Sequence, residues 1–161
     1  MKIYILVSLF ILVSSSTFSQ VGKKNIPIKP ILSPGLIYQN QFMGELNVMF
    51  SRLELTTGGS AIWGPRIGLE SGFNKDKFII APKVGYELSG LLFCIRGSAL
   101  TYFQANKVDV RFLPEIGLSL SGALNLCYGY NFHLFNDKID DVTSNRISLT
   151  LNLDFELWRG L

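Results

Sequence analysis

Apolar side chains recur at every second position along most of this chain, and a period of two is the mark of strands with one apolar and one polar face. Eight such segments emerge. Ile31 to Tyr38 is short. Phe42 to Glu54 sets Phe42, Leu46, Val48 and Phe50 against Glu45, Asn47 and Ser51, with Met49 as an apolar exception on the polar face. Ala61 to Phe73 sets Trp63, Pro65, Ile67, Leu69 and Phe73 against Arg66 and Glu70, and Lys77 to Leu88 sets Phe78, Ile80, Val84, Tyr86 and Leu88 against Lys83 and Glu87. Leu91 to Gln104 sets Phe93, Ile95, Ala99 and Phe103 against Arg96, Ser98, Tyr102 and Gln104. Lys107 to Leu120 sets Val108, Val110, Phe112, Ile116 and Leu118 against Asp109, Arg111, Glu115 and Ser119. Ala123 to Phe135 sets Leu124, Leu126, Tyr128, Tyr130 and Phe132 against Asn125, Cys127, Asn131 and His133. Asn145 to Leu157 sets Ile147, Leu149, Leu151, Leu153, Phe155 and Leu157 against Arg146, Ser148, Thr150, Asn152, Asp154 and Glu156.

Connections this short cannot carry crossovers, so the segments read as an antiparallel meander. A two-residue hairpin keeps residues i and i+3 on one face, which places a turn at Ser89-Gly90 between Leu88 and Leu91. Leu120 and Leu124 share parity instead, which requires the three-residue loop Ser121-Gly122-Ala123. The connections also alternate in character. "SG" and "SGA" are minimal on the side where the chain starts, with "TTGGS" a mild exception, while "QNQ", "NKDK", "QANK" and "NDKIDDVTSN" on the far side are longer or more polar.

Ahead of these segments lies "MKIYILVSLFILVSSSTFSQ", with Lys2, an apolar Ile3–Val13 stretch and small residues Thr17 and Ser19 before Gln20. This pattern predicts a secretory signal peptide over residues 1–19. An uncleaved membrane helix is the poorer reading because spanning needs about 18 or more apolar residues. No Cys follows the cleavage site, so no lipoprotein anchor is expected. Residues 20–30 then form a lead-in and 31–161 one domain, in keeping with a chain of 161 residues. A net charge of +3 gives no basic footprint for nucleic acid, whereas 48% hydrophobic residues is high for a secreted soluble domain.

Both a lipid-spanning barrel and a soluble one alternate, so period alone does not choose between them. Three features favour lipid. Charges of both signs alternate from strand to strand on the polar face, as a side-chain-filled lumen requires, and eight strands make a barrel just wide enough to be filled that way. Apolar-face aromatics sort into two levels: Phe42, Phe73, Phe78, Phe103, Phe112, Tyr130 and Phe132 toward the longer loops, and Phe50, Trp63, Tyr86, Phe93 and Phe155 toward the short turns. Aliphatics lie between them, the two-girdle arrangement of transmembrane barrels. The segments also have the roughly 9–11 alternating positions that cross a bilayer when tilted. Pro65, Pro82 and Pro114 stand against this, because a closed barrel has no edge to hide a missing donor.

From "MGELNVMF" to "LNLDFELW" the chain resembles the small eight-stranded outer-membrane barrels of the OmpA/OmpX kind found in Gram-negative bacteria. The closing "ISLTLNLDFEL" is similar to the C-terminal signal such barrels present to the outer-membrane assembly machinery, though it ends "WRGL" rather than on Phe. The resemblance implies an all-β, eight-stranded antiparallel up-and-down transmembrane barrel, located in the outer membrane, with lipid and that machinery as partners.

Candidate chemistry is sparse. His133, the one His, and Ser148 both take inward parity near the loop end, and nearby carboxylates make a Ser/His/acid set conceivable. Some outer-membrane barrels are lipid A acyltransferases or deacylases, but they place Ser and His within reach of lipid, which an inward His133 does not match. Cys94 and Cys127 take inward parity near the turn end, two strand spacings apart. That separation of about 10 Å exceeds the roughly 7 Å limit for a disulfide, so free thiols are expected. No spacing suits zinc, no Gly-rich phosphate loop occurs, and "NDKIDD" lacks the Gly and distal Glu of a calcium loop. The expectation is a barrel without cofactor, metal or catalytic residues, structural or offering the Asn136–Asn145 loop to a protein or cell-surface partner. The alternatives are a soluble lipocalin-like barrel holding an apolar ligand, and a lipid A-modifying enzyme.

Overall fold

The computed structural model describes residues 26–56, 59–74, 77–104, 107–135, 139 and 141–159; the signal-peptide reading of residues 1–19 lies outside them. The strands are β1 (Ile28–Tyr38), β2 (Phe42–Thr56), β3 (Gly59–Asn74), β4 (Lys77–Gly90), β5 (Phe93–Gln104), β6 (Lys107–Leu120), β7 (Leu124–Tyr130), β8 (Phe132–His133) and β9 (Asn145–Leu151), followed by a short helix α1 (Phe155–Arg159). All neighbours pair antiparallel, β1 with β9 and β5 with β6 among them, so the sheet closes on itself. β8 continues β7 against β6, and the two together make the seventh wall of an eight-stranded up-and-down barrel. The loop Ser121-Gly122-Ala123 is as expected, with Leu120 facing Leu124 and φ of 48° at Ser121 and 79° at Gly122.

The polarity of the barrel is inverted relative to a globular domain. Arg66, Arg111 and Arg146 are the largest fully buried side chains, while Leu46, Ile67, Val84, Ile95, Ile116 and Leu149 are exposed on the outside. The expected aromatics stand outside too, and at the loop end they touch in pairs: Tyr38–Phe42 and Phe73–Phe78 at 5.1 Å between ring centroids, Tyr130–Phe132 at 4.8 Å.

Two boundaries differ from the sequence reading. The β4–β5 turn is Leu91-Leu92, with φ of 52° at Leu91, not Ser89-Gly90. A slip of two residues leaves every side chain on its face, so parity could not decide between the two turns. Charge decides. The Ser89-Gly90 turn would set Lys83 directly against Arg96, whereas the observed register sets Glu87 against Arg96, and opposite charges across a ladder stabilise where like charges repel.

The last strand, expected to run to Leu157, stops at Leu151, with one further bridge between Leu32 and Leu153. Asp154 accepts a hydrogen bond from the Glu156 N–H at 2.8 Å, capping α1 rather than facing the lumen. Glu156 pairs with Lys29 at 2.9 Å in solvent, and Trp158 Nε1 donates to the Asn152 carbonyl at 3.0 Å. The helix turns Leu157 inward to full burial and leaves Phe155 75% exposed.

The in-strand prolines turn out to be cheap. Pro65, Pro82, Pro114 and, in β1, Pro30 and Pro34 all take outward parity; Pro30 pairs with Phe50 beyond the end of β9, and the other four lie within paired stretches on both sides. Pro65, Pro82, Pro114 and Pro34 each keep their pairing on one side, opposite Tyr86, Leu69, Gly97 and Leu46 respectively. On the other side the ladder skips two residue pairs: β2–β3 passes from Met49–Arg66 to Arg52–Trp63, and β4–β5 from Ile80–Phe103 to Lys83–Leu100. The skips at Pro114 and Pro34 fall between β6 and β7/β8 and between β1 and β9. The four gaps fall on four different seams, so no seam loses more than one stretch of ladder. A side-chain bond spans one of them: Ser33 Oγ donates to Asn152 Oδ1 at 2.6 Å.

Apolar residues that break the alternation close the barrel's ends. Met49 packs inside with Ile31, Ile62, Ala123 and Leu157 at the turn end. Ile37, Met43, Ile79, Leu100, Leu113 and Tyr102 pack at the loop end, joined from above by Ile139 and Val142. The lumen is thus a charged layer between two apolar layers.

Candidate functional site

Between the apolar layers, alternation brings charge to the centre from almost every strand. Among the described residues, five buried carboxylates (Glu45, Glu70, Glu87, Asp109, Glu115) meet five buried cations (Arg66, Lys83, Arg96, Arg111, Arg146). Burying a charge is tolerable only when it is paired and hydrogen-bonded, and this equality of count makes pairing possible throughout.

The register alone would defeat it at one place, since Glu45 and Glu70 sit directly opposite each other on β2 and β3. Lys83 reaches across from β4 to both carboxylates, at 2.9 Å to Glu70, and Arg146 adds 2.9 Å to Glu70 and 3.5 Å to Glu115. Gly35 makes room for this, because a Cβ there would lie 2.6 Å from Glu45 Oε1 and 2.7 Å from the Leu149 carbonyl. On the turn side Glu87 Oε2 takes Arg66 Nη1 at 2.5 Å and Arg96 Nε at 2.9 Å. Its Oε1 accepts from Ser89 Oγ at 2.7 Å and Asn125 Nδ2 at 2.8 Å. Eight charged side chains so tied fill the bore.

A second cluster holds the long loop over the other end. Arg111 Nη2 lies 2.6 Å from Asp109 Oδ2 and donates at 3.2 Å to the Ile139 carbonyl, while Nη1 donates at 3.0 Å to Val142 and 3.3 Å to Thr143. Asp109 in turn accepts from the Ile139 N–H at 3.0 Å, and the Arg111 guanidinium lies 5.0 Å from the Tyr102 ring centroid, in cation–π range. With Ile139 and Val142 buried beneath, this part of the loop is a cover. The rest of the proposed Asn136–Asn145 partner segment, residues 136–138 and 140, lies outside the described residues. The sequence carries a signal for the cover: Ile139 and Val142 are the two apolar residues in an otherwise polar loop, three apart. Val142→Ala is expected to lower global stability by only about 1–2 kcal/mol. It should nonetheless speed cleavage within the loop several-fold in limited proteolysis of the folded protein, because one of the two apolar anchors is lost.

The candidate catalytic residues are not brought together. His133 Nδ1 lies 3.2 Å from Asp109 Oδ1 and the side chain is 23% exposed, whereas Ser148 Oγ donates to Glu115 at 2.8 Å and sits opposite Cys127 on the ladder. Each has its own acid, and neither addresses the other. Cys94 and Cys127 are buried, free thiols, as expected, and are near enough to interact across β6. Among the described residues no group of three or more His, Cys, Asp or Glu is placed to hold a metal ion. No protein-family model, curated protein or solved structure matches the chain.

Proposed function

We propose that this barrel spans the outer membrane, with lipid against its apolar exterior, and that its role there is structural or that of a scaffold offering the loop end to a protein or cell-surface partner. The observation that carries this reading is the inverted polarity around the whole circumference. Soluble monomers seldom expose contiguous apolar patches beyond a few hundred Å², yet every strand from β1 to β9 turns exposed aliphatic and aromatic side chains outward. Aromatic pairs at the loop-end rim and aliphatics at mid-height fit the depth profile of a bilayer. The resemblance to OmpA/OmpX-type barrels points the same way.

The charged bore, in which each charge has an opposite partner, is closed above and below by apolar layers and suits a barrel that does not conduct. It also suits a lipocalin-like role poorly, since an apolar ligand would meet ten charged side chains. The separate acid partners of His133 and Ser148 give no support to a lipid-modifying enzyme. Function beyond location therefore rests with the loop end.

Fractionation of expressing cells, followed by gel electrophoresis of boiled and unboiled samples, tests the proposal. The protein is expected in the outer-membrane fraction, extracted only by detergent, with a mobility that changes on heating. A mature chain that remains in solution without detergent would overturn it.

A further inference from the structure

We infer that Cys94 and Cys127 are a dithiol pair that oxidation joins into a disulfide, tying β5 to β7 across the intervening β6. The cross-strand registers place both cysteines opposite the same residue: Cys94 faces Gly117 on one side, and Gly117 faces Cys127 on the other. All three take inward parity, and both thiols are buried. Glycine at 117 places no side chain between the two cysteine positions.

β7 packs closely against this glycine. A Cβ on Gly117 would lie 2.0 Å from the Leu126 carbonyl and 2.5 Å from the Cys127 Cα, so β7 leans over the glycine. Cα atoms of β5 and β7 come within 8 Å of each other, and the two thiols are near enough to interact. A disulfide needs Cα atoms within about 7 Å. The remaining closure is a small pinch of the wall over a residue that offers no side chain to resist it.

Neither thiol takes part in an ion pair of the charged network; Cys94 Sγ accepts from Ser89 Oγ at 3.2 Å. The oxidant is a disulfide of the glutathione class. One cysteine thiolate attacks the oxidant's sulfur, giving a mixed disulfide and releasing one thiol. The second thiolate attacks the cysteine sulfur of that mixed disulfide, forming the Cys94–Cys127 bond and releasing the second thiol. Two electrons pass to the oxidant, and the two cysteine protons end on the released thiols. Because both sulfurs are buried in the closed barrel, exchange takes place while the strands are still assembling.

The full chain refolded in detergent with glutathione disulfide, then denatured and treated with a maleimide-polymer reagent, tests this. The expected result is no labelled thiol before reduction, two after it, and an intact protein mass without added glutathione. Heat-modifiable mobility verifies that the oxidised chain has folded. Cys94→Ser and Cys127→Ser should each fold and label once after reduction, with no internal bond. Two thiols still labelling after oxidative refolding, or two separate glutathione adducts, would overturn the inference.

Discussion

Replacing Glu87 with alanine is expected to remove about 3–5 kcal/mol from the stability of the folded barrel, the cost of leaving buried charge without its partner. Glu87 is wholly buried and receives Arg66 at 2.5 Å and Arg96 at 2.9 Å on one carboxylate oxygen. Deleting it strands two guanidinium groups from different strands, together with the side chains of Ser89, Asn125 and Asn152 that donate to it. Glu87→Gln restores acceptor and shape without charge and should fall between the alanine variant and the parent. Adding Arg96→Ala to Glu87→Ala should cost less than the sum of the two, because the second change removes a cation that the first had orphaned. Urea unfolding in detergent micelles, followed by the fluorescence of Trp63 and Trp158, measures all of these. A loss below about 1 kcal/mol for Glu87→Ala would mean that the carboxylate is hydrated rather than holding the bore together.

The second large effect separates lipid from water outside the barrel. Val84 points outward at mid-height, between Ile67 and Ala99 on its neighbours, and is 56% exposed. In lipid vesicles Val84→Arg should cost about 2–4 kcal/mol, the penalty of an arginine at the bilayer midplane, whereas Val108→Arg near the rim should cost about 0–1 kcal/mol. If water covers this face, both substitutions stay within about 0.5 kcal/mol. Unfolding in urea from vesicles, with the parent alongside, gives the two differences directly, and equal small values would remove the main support for a lipid-facing exterior.

Much of the architecture was legible because a strand's two faces can be read from parity. Arg66, Glu70, Lys83, Glu87, Arg96, Arg111 and Arg146 were assigned to one face from alternation, and all are buried in the lumen. The site was less legible. His133 and Ser148 share inward parity, and parity says nothing of which acid each will find; register gives His133 to Asp109 and Ser148 to Glu115. Cys94 and Cys127 share inward parity too, and only the paired registers show that both face Gly117. The loop cover was missed because Arg111 gathers the carbonyls of Ile139, Val142 and Thr143 through contacts distant along the chain.

By itself, the order of residues determined the strand count, the antiparallel meander, the three-residue loop at Ser121-Gly122-Ala123 and the side of the wall on which nearly every strand residue stands. All of these follow from local geometry of period two, which each segment expresses without reference to its neighbours. Tertiary structure decided what local geometry leaves degenerate. A two-residue slip preserves every face, so the turn at Leu91-Leu92 was chosen by Glu87 meeting Arg96 across the ladder. Alternation continues through Phe155 and Leu157, yet the chain leaves the sheet after Leu151, because the open turn end offers Leu157 a buried place beside Ile31, Met49 and Ile62 that an outward strand position does not.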